Sequence, residues 1–239
     1  MSYEYHPGFS EALDPVLYAR THRSIRSIAR TVFGFTITNA NNLPGAGPYI
    51  LAPNHRSMLD PFISGVVPDR AVYFMAKKEI WEKPIYTRTG LTNFMTKLGA
   101  FPVDRSAKNR AALIETLDQG KKIISEGRVL GMYGEGTSKN KGNNIGEIFG
   151  GISKIAVDSA LEGIDAPVLP VGMTAEHLNP LYSLQAVVGE PIHADIVGQH
   201  PKHARNEINE KLRIGLQDAV DMACDLRQLR VQPLVHPQQ

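Results

Sequence analysis

The chain of 239 residues is 42% apolar and 21% charged, which is typical of an ordered globular protein and excludes a disordered or collagen-like chain. Its single cysteine, Cys224, cannot form an intramolecular disulfide, so the fold does not depend on an oxidising compartment. The net charge of +2 conceals an asymmetry, since residues 1–110 carry 14 Lys and Arg against 8 Asp and Glu. Such a basic half can be incidental, but it suits an anionic surface or a phosphorylated ligand, and no zinc-finger, RNP-like or basic-zipper pattern indicates nucleic acid.

Membrane-spanning and secretory segments are not predicted. No stretch of the sequence reaches the ~18–20 apolar residues that a membrane-spanning helix needs. The first fifteen residues are polar and acidic, unlike a secretory signal peptide. We therefore expect a cytoplasmic protein that does not cross the cell membrane but can still lie on its inner face.

Residues 14–35 are predicted to form an amphipathic helix, because Asp14 can cap it and Pro15 suits its first position. Successive helix residues are about 100° apart around the axis, and on this spacing the arginines of the segment fall within one sector of ~120°. These are Arg20, Arg23, Arg26 and Arg30. The opposite side carries Leu17, Ile25, Ile28 and Val32. Such a helix is typical of docking on an anionic lipid surface; the alternative is that it packs its apolar side on the domain and leaves its arginines in solvent.

Beyond this helix, strand-length apolar runs alternate with helical patterns, which predicts an α/β fold with a mainly parallel central sheet flanked by helices. The predicted strands are 47–53, 71–76, 99–103, 128–133, 167–173 and 186–189. The predicted helices are 57–66, 84–98, 110–126, 148–162 and 203–227. Without repeats or linkers, the division is a tail and basic amphipathic helix at 1–36, one α/β domain at 37–230 and a loose C-terminal tail at 231–239.

The first chemical cluster runs from Asn54 to Asp60 and directly follows a predicted strand, where α/β folds place their sites. With His55 in the loop and Asp60 in the first helical turn, the carboxylate can fold back to the imidazole and leave its other nitrogen as a base. An ordinary histidine titrates near neutral pH, which suits proton abstraction. The alternative is that His55 caps a helix or satisfies a hydrogen bond in the core.

Missing motifs narrow the chemistry of this cluster. The sequence has no Gly-x-Ser-x-Gly elbow, and Cys224 lies in a late predicted helix, so no protein nucleophile is indicated. The His-Asp pair therefore points to activation of a substrate hydroxyl or of water. No His-x3-His or Cys-x2-Cys spacing adds ligands to His55 and Asp60, so we expect no metal site.

Two further clusters follow predicted strands. Arg105, after the third strand, is suited to clamp a phosphate through two parallel hydrogen bonds. After the fourth strand, Gly134 and Gly136 let a ligand approach the backbone closely. Glu135, between them, can accept hydrogen bonds from a polyol or position the phosphate clamp. Taken singly, each segment is also compatible with an ordinary turn.

Together, in this order and spacing, the segments resemble the glycerolipid acyltransferase family typified by 1-acylglycerol-3-phosphate acyltransferases. Residues 47–62 are similar to its first block, Asn-His-x-Ser-x-x-Asp, and residues 99–105 to its second, Gly-x-x-Phe/Pro-x-x-Arg. Residues 133–139 are similar to its third block, Phe-Pro-Glu-Gly-Thr-Arg-Ser, and residues 169–171 to its short fourth block. The resemblance extends over residues 43–192.

The resemblance implies a role for each matching residue. His55 is implied to be the general base on the acceptor hydroxyl, oriented by Asp60. The implied contacts with the acceptor's phosphate and glycerol are Arg105, Glu135, Gly136, Thr137 and Lys77. The implied acyl donor is a thioester, either acyl-CoA or acyl-ACP, which the acceptor attacks directly, so that no acyl-enzyme, cofactor or metal is required.

The third block departs from the family pattern. Tyr133 and Gly134 stand where Phe-Pro is usual, and Ser138 and Lys139 stand where Arg-Ser is usual. Lys139 or Lys141 can replace the missing arginine only as a point charge. The predicted acceptor is lysophosphatidic acid in phospholipid biosynthesis. The alternatives are an acyltransferase of the same fold acting on glycerol 3-phosphate, a lysophospholipid or a glycolipid, and a non-catalytic peripheral lipid-binding protein or hydrolase.

Overall fold

The structure is a computed structural model that describes residues 12–57, 59–104, 110–136, 142–174 and 184–235. Within these residues the helices are α1 (Pro15–Phe33), α2 (Asp60–Ser64), α3 (Glu79–Glu82), α4 (Pro84–Arg88), α5 (Leu91–Lys97), α6 (Arg110–Ser125), α7 (Gly151–Leu161) and α8 (Pro201–Val235). The strands are β1 (Thr36–Thr38), β2 (Tyr49–Pro53), β3 (Val72–Lys77), β4 (Phe101–Val103), β5 (Val129–Gly131), β6 (Val168–Met173) and β7 (Gln185–Val188). A short 3₁₀ helix, Ala40–Asn42, lies between β1 and β2.

The strands of the described residues form one seven-stranded sheet, in the order β1-β7-β6-β2-β5-β3-β4. The strands from β6 to β4 in this order are parallel, whereas β7 runs antiparallel to β6 and β1 pairs in parallel with β7. Every residue of β2 and β6 is buried, as expected of parallel strands that are covered on both faces. The predicted α/β fold with a mainly parallel central sheet is confirmed.

Each face of the sheet packs against its own layer of helices, because successive strand residues point to opposite faces. On one face, Ile50 and Leu130 belong to a buried cluster with Ile155 of α7 and Leu212 of α8. On the other face, Leu51 belongs to a second cluster that includes buried side chains of α1 and α2. Neighbouring residues of β2 therefore contribute to both apolar layers.

Helix α8 lies directly against Gly172 of β6. A Cβ atom at this position would lie 2.2 Å from the backbone carbon of Ala219 and 2.3 Å from the backbone nitrogen of Val220. Since both neighbours are backbone atoms, a side chain here would force the helix away from the sheet. Gly172 thus sets the distance between α8 and the sheet.

Helix α1 has the predicted N-terminal cap, and a glycine that the sequence analysis does not single out ends it. The Asp14 side chain accepts hydrogen bonds from the backbone nitrogens of Val16 and Leu17. Gly34 follows the helix in the left-handed conformation, with φ at 56°. Among the helices described, α1 included, none combines the length and the apolar character needed to cross a membrane.

One side of α1 packs on the domain, but only part of the predicted apolar side takes part in this contact. The Tyr18 hydroxyl lies 3.1 Å from the backbone nitrogen that opens β3, Ala29 is buried, and Ile25 contacts the same apolar cluster. Ile28 and Val32, in contrast, are 54% and 45% exposed. The contact face of the helix is therefore rotated away from Ile28 and Val32 and leaves them on its flank.

Besides offsets of a few residues at the ends of several elements, three predicted boundaries differ from the structure. The predicted helix 84–98 is divided into α4 and α5, because Gly90 adopts the left-handed conformation, at φ 76°, and interrupts it. Helix α8 continues to Val235, so the predicted loose tail at 231–239 begins as helix; extending a formed helix costs far less than nucleating one. Strand β1, too short to be recognised from alternation, crosses the predicted boundary between 36 and 37.

Candidate active site

His55 and Asp60 make the predicted contact at the carboxyl end of β2. His55 lies in the loop 54–57, which we call the His55 loop, and Asp60 is the first residue of α2. His55 Nδ1 and Asp60 Oδ2 are 2.9 Å apart. The His55 side chain is 19% exposed and the Asp60 side chain 2%. The imidazole therefore reaches solvent, while the carboxylate that orients it is buried.

The other hydrogen bonds of Asp60 decide which imidazole nitrogen carries the proton. Asp60 Oδ2 also accepts from the backbone nitrogen of Arg56 at 2.6 Å and from that of Ser57 at 2.7 Å. Since this oxygen already serves as the acceptor for two backbone donors, His55 Nδ1 donates to it as well. Nε2 is then the nitrogen with a free lone pair, and it is the atom that can take a proton from a substrate hydroxyl.

Asn54 anchors the His55 loop to the neighbouring strand β6. Its Nδ2 donates to the carbonyl of Met173 at 3.1 Å, and its Oδ1 accepts from the backbone nitrogen of Met173 at 2.7 Å. Met173 is the last residue of β6, and Asn54 is buried. His55 therefore follows directly after a residue that two hydrogen bonds fix in place.

Glu135 is buried beside the His55 loop, and protein atoms bind both of its carboxylate oxygens. Oε1 accepts from Arg56 Nη1 at 2.6 Å and from the backbone nitrogen of His55 at 3.3 Å. Oε2 accepts from the backbone nitrogen of Gly146 at 3.1 Å. Glu135 therefore joins the His55 loop to the segment that follows β5. The direct contact with the acceptor that the resemblance implies stays a prediction.

Arg56, which lies in the His55 loop, connects this loop to the segment that follows β5. Its guanidinium donates to Glu135 and to the carbonyls of His55 at 3.0 Å, Gly142 at 3.0 Å and Asn144 at 2.9 Å. The Arg56 side chain is only 4% exposed. A planar guanidinium with five donors can serve acceptors in several directions, which a lysine ammonium on a flexible stem does less well. The buried pair therefore holds the shape of the loops around His55.

Tyr133 covers one face of the His55 ring. The two ring centroids are 4.2 Å apart, and the ring planes differ by 25°. The Tyr133 hydroxyl lies 3.0 Å from Ser64 Oγ of α2. Burial raises the pKa of Tyr133 well above its usual value, so the hydroxyl keeps its proton at neutral pH. Tyr133 is therefore a neutral aromatic wall of the site.

The other predicted substrate contacts lie at the same edge of the sheet or outside the described residues. Lys77 is exposed as the last residue of β3, and Gly136 follows β5 with φ at 62°. The carboxyl ends of parallel strands share one edge, so both lie on the edge that carries His55. Arg105, Thr137 and Lys139 lie outside the described residues. Among the residues that are described, no group of three or more His, Cys, Asp or Glu is arranged to hold a metal ion.

A comparison with protein families decides the assignment. A family model described as Acyltransferase matches residues 34–174, which are more than half of the chain and include the His55 loop and Glu135. The chain belongs to the acyltransferase family. The resemblance stated from the sequence is thereby confirmed, and the protein is an acyltransferase.

Individual relatives are similar to this acyltransferase over much of its length. The 1-acyl-sn-glycerol-3-phosphate acyltransferase of Bacillus subtilis is 25% identical over 165 residues, which are 67% of this chain and 74% of that protein. The "Probable 1-acyl-sn-glycerol-3-phosphate acyltransferase" of Mycoplasma pneumoniae is 30% identical over 143 residues, 56% of this chain and 47% of that protein. The crystal structure of the 1-acyl-sn-glycerophosphate acyltransferase PlsC from Thermotoga maritima shares the fold, with a TM-score of 0.57 and 21% identity over 82% of this chain and 78% of that chain.

Two residues of the candidate site carry contacts that the sequence analysis does not predict. Arg56 occupies the unspecified position of the Asn-His-x-Ser pattern, and its partner Glu135 lies 79 residues later. Tyr133 is visible in the sequence only as a departure from the family pattern. An arginine inside an otherwise uncharged loop and an isolated glutamate after a nearby strand were the available signal for the pair.

Proposed function

We propose that this acyltransferase moves a fatty acyl group from an acyl thioester to the free hydroxyl of lysophosphatidic acid, as a step of phospholipid biosynthesis. The observation that carries the proposal is the 2.9 Å contact between His55 Nδ1 and Asp60 Oδ2, which leaves Nε2 as the base. An oriented base next to solvent suits proton removal from a bound hydroxyl. The names of the two curated relatives support lysophosphatidic acid as the acceptor.

The proposed reaction is a direct transfer between two bound substrates. His55 Nε2 removes the proton of the acceptor hydroxyl while the hydroxyl oxygen attacks the thioester carbonyl. The ester C–O bond forms, the C–S bond breaks, and the thiolate of coenzyme A or of acyl carrier protein leaves. The Asp60 carboxylate stabilises the transient imidazolium, which then returns its proton to the thiolate. In this proposal no acyl-enzyme forms, and no cofactor or metal takes part.

The acceptor's phosphate is proposed to bind basic residues at the same edge of the sheet. Lys77 ends β3 and is exposed, and Arg105 follows the last residue of β4 by two positions in the sequence. Arg105 suits a bidentate contact with phosphate, whereas Lys77 and Lys139 add point charges. The resemblance also implies that Gly136 and Thr137 contact this phosphate; the Gly136 amide itself donates to the Tyr133 carbonyl at 3.1 Å.

The test is an acyl-transfer assay with a panel of acceptors and donors. Purified protein is supplied with acyl-CoA or acyl-ACP, together with lysophosphatidic acid, glycerol 3-phosphate, a neutral lysophospholipid or a glycolipid. Thiol release gives the rate, and mass spectrometry identifies the product. We expect phosphatidic acid as the main product and turnover at least about a hundredfold slower in the His55→Ala variant.

Two results would contradict the proposal, each in a different way. Thiol release without any acylated acceptor would make the protein a thioester hydrolase. Faster acylation of glycerol 3-phosphate or of an uncharged acceptor would assign it to another acceptor. The donor is decided separately, by the ratio of kcat/KM for acyl-CoA to that for acyl-ACP.

We further propose that α1 docks the protein on the inner face of the cell membrane through anionic lipids. Its solvent side carries Arg20, Arg23 and Arg30. Arg26 is turned toward Asp69, with which it forms an ion pair, and is less available to lipid. Arg23 and Arg30 also line an open cavity of about 610 Å³ beside the helix, with room for an anionic headgroup. Each lipid-facing arginine can contribute about 1 kcal/mol to binding at low salt.

Charge reversal tests this docking surface. The triple variant Arg20→Glu, Arg23→Glu, Arg30→Glu should lose sedimentation with anionic liposomes yet keep turnover of a short-chain, water-soluble acceptor. The matched control reverses the same number of exposed charges on α8, namely Lys202, Lys211 and Arg213. Equal liposome binding by the two triple variants would show that α1 is only packed on the domain.

A further inference from the structure

Two contacts hold the His55 ring, one at its edge and one on its face. At the edge, Nδ1 is 2.9 Å from Asp60 Oδ2. On the face, the Tyr133 ring lies nearly parallel, with the centroids 4.2 Å apart. A single hydrogen bond leaves an imidazole free to swing about the line between donor and acceptor, whereas a stacked ring blocks that movement. The face contact therefore contributes to the direction of Nε2.

Tyr133 is itself fixed by α2 and by a neighbouring aromatic ring. Ser64 Oγ lies 2.8 Å from the carbonyl oxygen of Asp60, and its single hydrogen is donated there. The Tyr133 hydroxyl, 3.0 Å from Ser64 Oγ, must then be the donor of their shared hydrogen bond. The Phe74 ring stacks near Tyr133, with centroids 5.9 Å apart and planes 19° apart. Tyr133 is therefore restrained at its hydroxyl and along its ring.

One turn of α2 holds both partners of His55. Asp60 opens the turn and binds the edge of the imidazole, and Ser64, four residues later, binds the hydroxyl of the ring that covers its face. Ser64 is completely buried. A Phe in the third block, as in the usual family pattern, could cover the imidazole but could not reach Ser64 by a hydrogen bond. The tyrosine of this chain thus adds a link between the third block and α2.

We propose that Tyr133 is a positioning residue for the general base, holding the His55 ring so that Nε2 meets the acceptor hydroxyl. The inference rests on the proposed function. When Nε2 takes the proton of the acceptor, the ring becomes a cation, and the electron-rich face of Tyr133 attracts it. Since this attraction grows toward the transition state, it acts on kcat and leaves the binding of either substrate unchanged.

Kinetics of two Tyr133 variants test this role. Tyr133→Leu removes the ring and should lower kcat roughly three- to tenfold, with the KM of each substrate within about twofold of its original value. Tyr133→Phe keeps the ring and should retain about half of kcat or more. The control Tyr49→Leu removes a buried aromatic ring at the opposite end of β2 and should leave kcat unchanged. If Tyr133→Leu does not fold, Tyr133→Met, which is closer in length, replaces it.

Nuclear magnetic resonance tests the stacking without any substrate. The carbon-bound protons of the His55 ring, assigned by their absence in His55→Ala, should be shifted upfield by the Tyr133 ring current. They should move downfield in Tyr133→Leu or Tyr133→Met and stay in place in Tyr133→Phe. If lysophosphatidic acid is not an acceptor, the proposed function fails, and this measurement together with kcat for the acceptor identified still decides the role of Tyr133.

Several outcomes would overturn the inference. A kcat within twofold of wild type in Tyr133→Leu would show that the ring does not matter for catalysis. Equal losses in the Leu and Phe variants would assign the effect to the hydroxyl rather than to the ring. A higher KM with unchanged kcat would make Tyr133 a substrate contact. Unmoved His55 resonances in the Leu or Met variant would show that the rings do not stack in solution.

Discussion

Replacing Arg56 by methionine should destabilise the protein strongly, because it would remove the positive charge of Arg56 from the buried carboxylate of Glu135. Arg56 Nη1 lies 2.6 Å from Glu135 Oε1, and the two side chains are 4% and 0% exposed. Removing one partner of a buried ion pair typically costs about 3–5 kcal/mol of unfolding free energy. The carbonyls of Gly142 and Asn144 also lose a donor, but both residues are exposed, so water can replace it.

The reverse substitution should cost less. Glu135→Gln keeps the shape of the side chain, and Arg56 keeps its hydrogen bonds to three backbone carbonyls. We expect a loss of about 1–3 kcal/mol, typical of a weakened charged hydrogen bond. In the double variant Arg56→Met, Glu135→Gln neither side chain of this pair is charged. It should therefore be more stable than Arg56→Met alone, by about 1–3 kcal/mol.

Urea unfolding of the four proteins gives the whole cycle. Trp81 is the single tryptophan and is only 7% exposed, so its fluorescence can follow unfolding together with circular dichroism. Lys211→Met is the matched control, because it breaks an ion pair with Glu207 in which both side chains are exposed. The unfolding free energy of the control should be unchanged within experimental error.

The reasoning would be refuted by either of two results. A loss below about 1 kcal/mol in Arg56→Met would mean that the carboxylate of Glu135 finds water or another partner without cost. Strict additivity in the double variant would mean that the two side chains do not depend on each other. The pair also holds the His55 loop. Among the variants that fold, kcat should therefore fall as the loss of unfolding free energy grows, with the smallest kcat in Arg56→Met.

Three further predictions concern the base, the phosphate clamp and the core. His55→Ala should lower kcat by ~10²–10⁴-fold with unchanged circular dichroism, because it removes the only proposed base; more than a tenth of wild-type activity would contradict this. Arg105→Ala should raise the KM of a phosphorylated acceptor by roughly ten- to a hundredfold, because it would remove the proposed bidentate contact, and steady-state kinetics should show no similar change for the donor. Gly172→Ala should cost about 3 kcal/mol or more in thermal or urea unfolding, because its Cβ would overlap the α8 backbone, whereas Gly45→Ala, which meets open space, should cost little.

The sequence by itself determined the fold class and the central contact of the site. Strand-length apolar runs separated by helical patterns indicate a mainly parallel sheet with helices on both faces, because strands buried on both faces read as near-continuous apolar runs. The start of α1 follows from Asp14, whose capping chemistry is local. The contact between His55 and Asp60 spans five residues, so a loop followed by one helical turn is enough to form it. Interactions of short range are those that a sequence encodes directly.

The tertiary structure alone decided what surrounds that contact. Glu135 reaches the His55 loop from 79 residues away, and Tyr133 reaches Ser64 from 69 residues away. Such partners meet only because β2 and β5 are neighbours in the sheet, and the strand order is not contained in any local pattern. The face of α1 that packs was likewise set by the shape of the sheet and α2, which left Ile28 and Val32 exposed although their pattern predicted an apolar face. Local sequence patterns do not distinguish which helix face packs or which distant side chains meet, and the packing of strands and helices decides both.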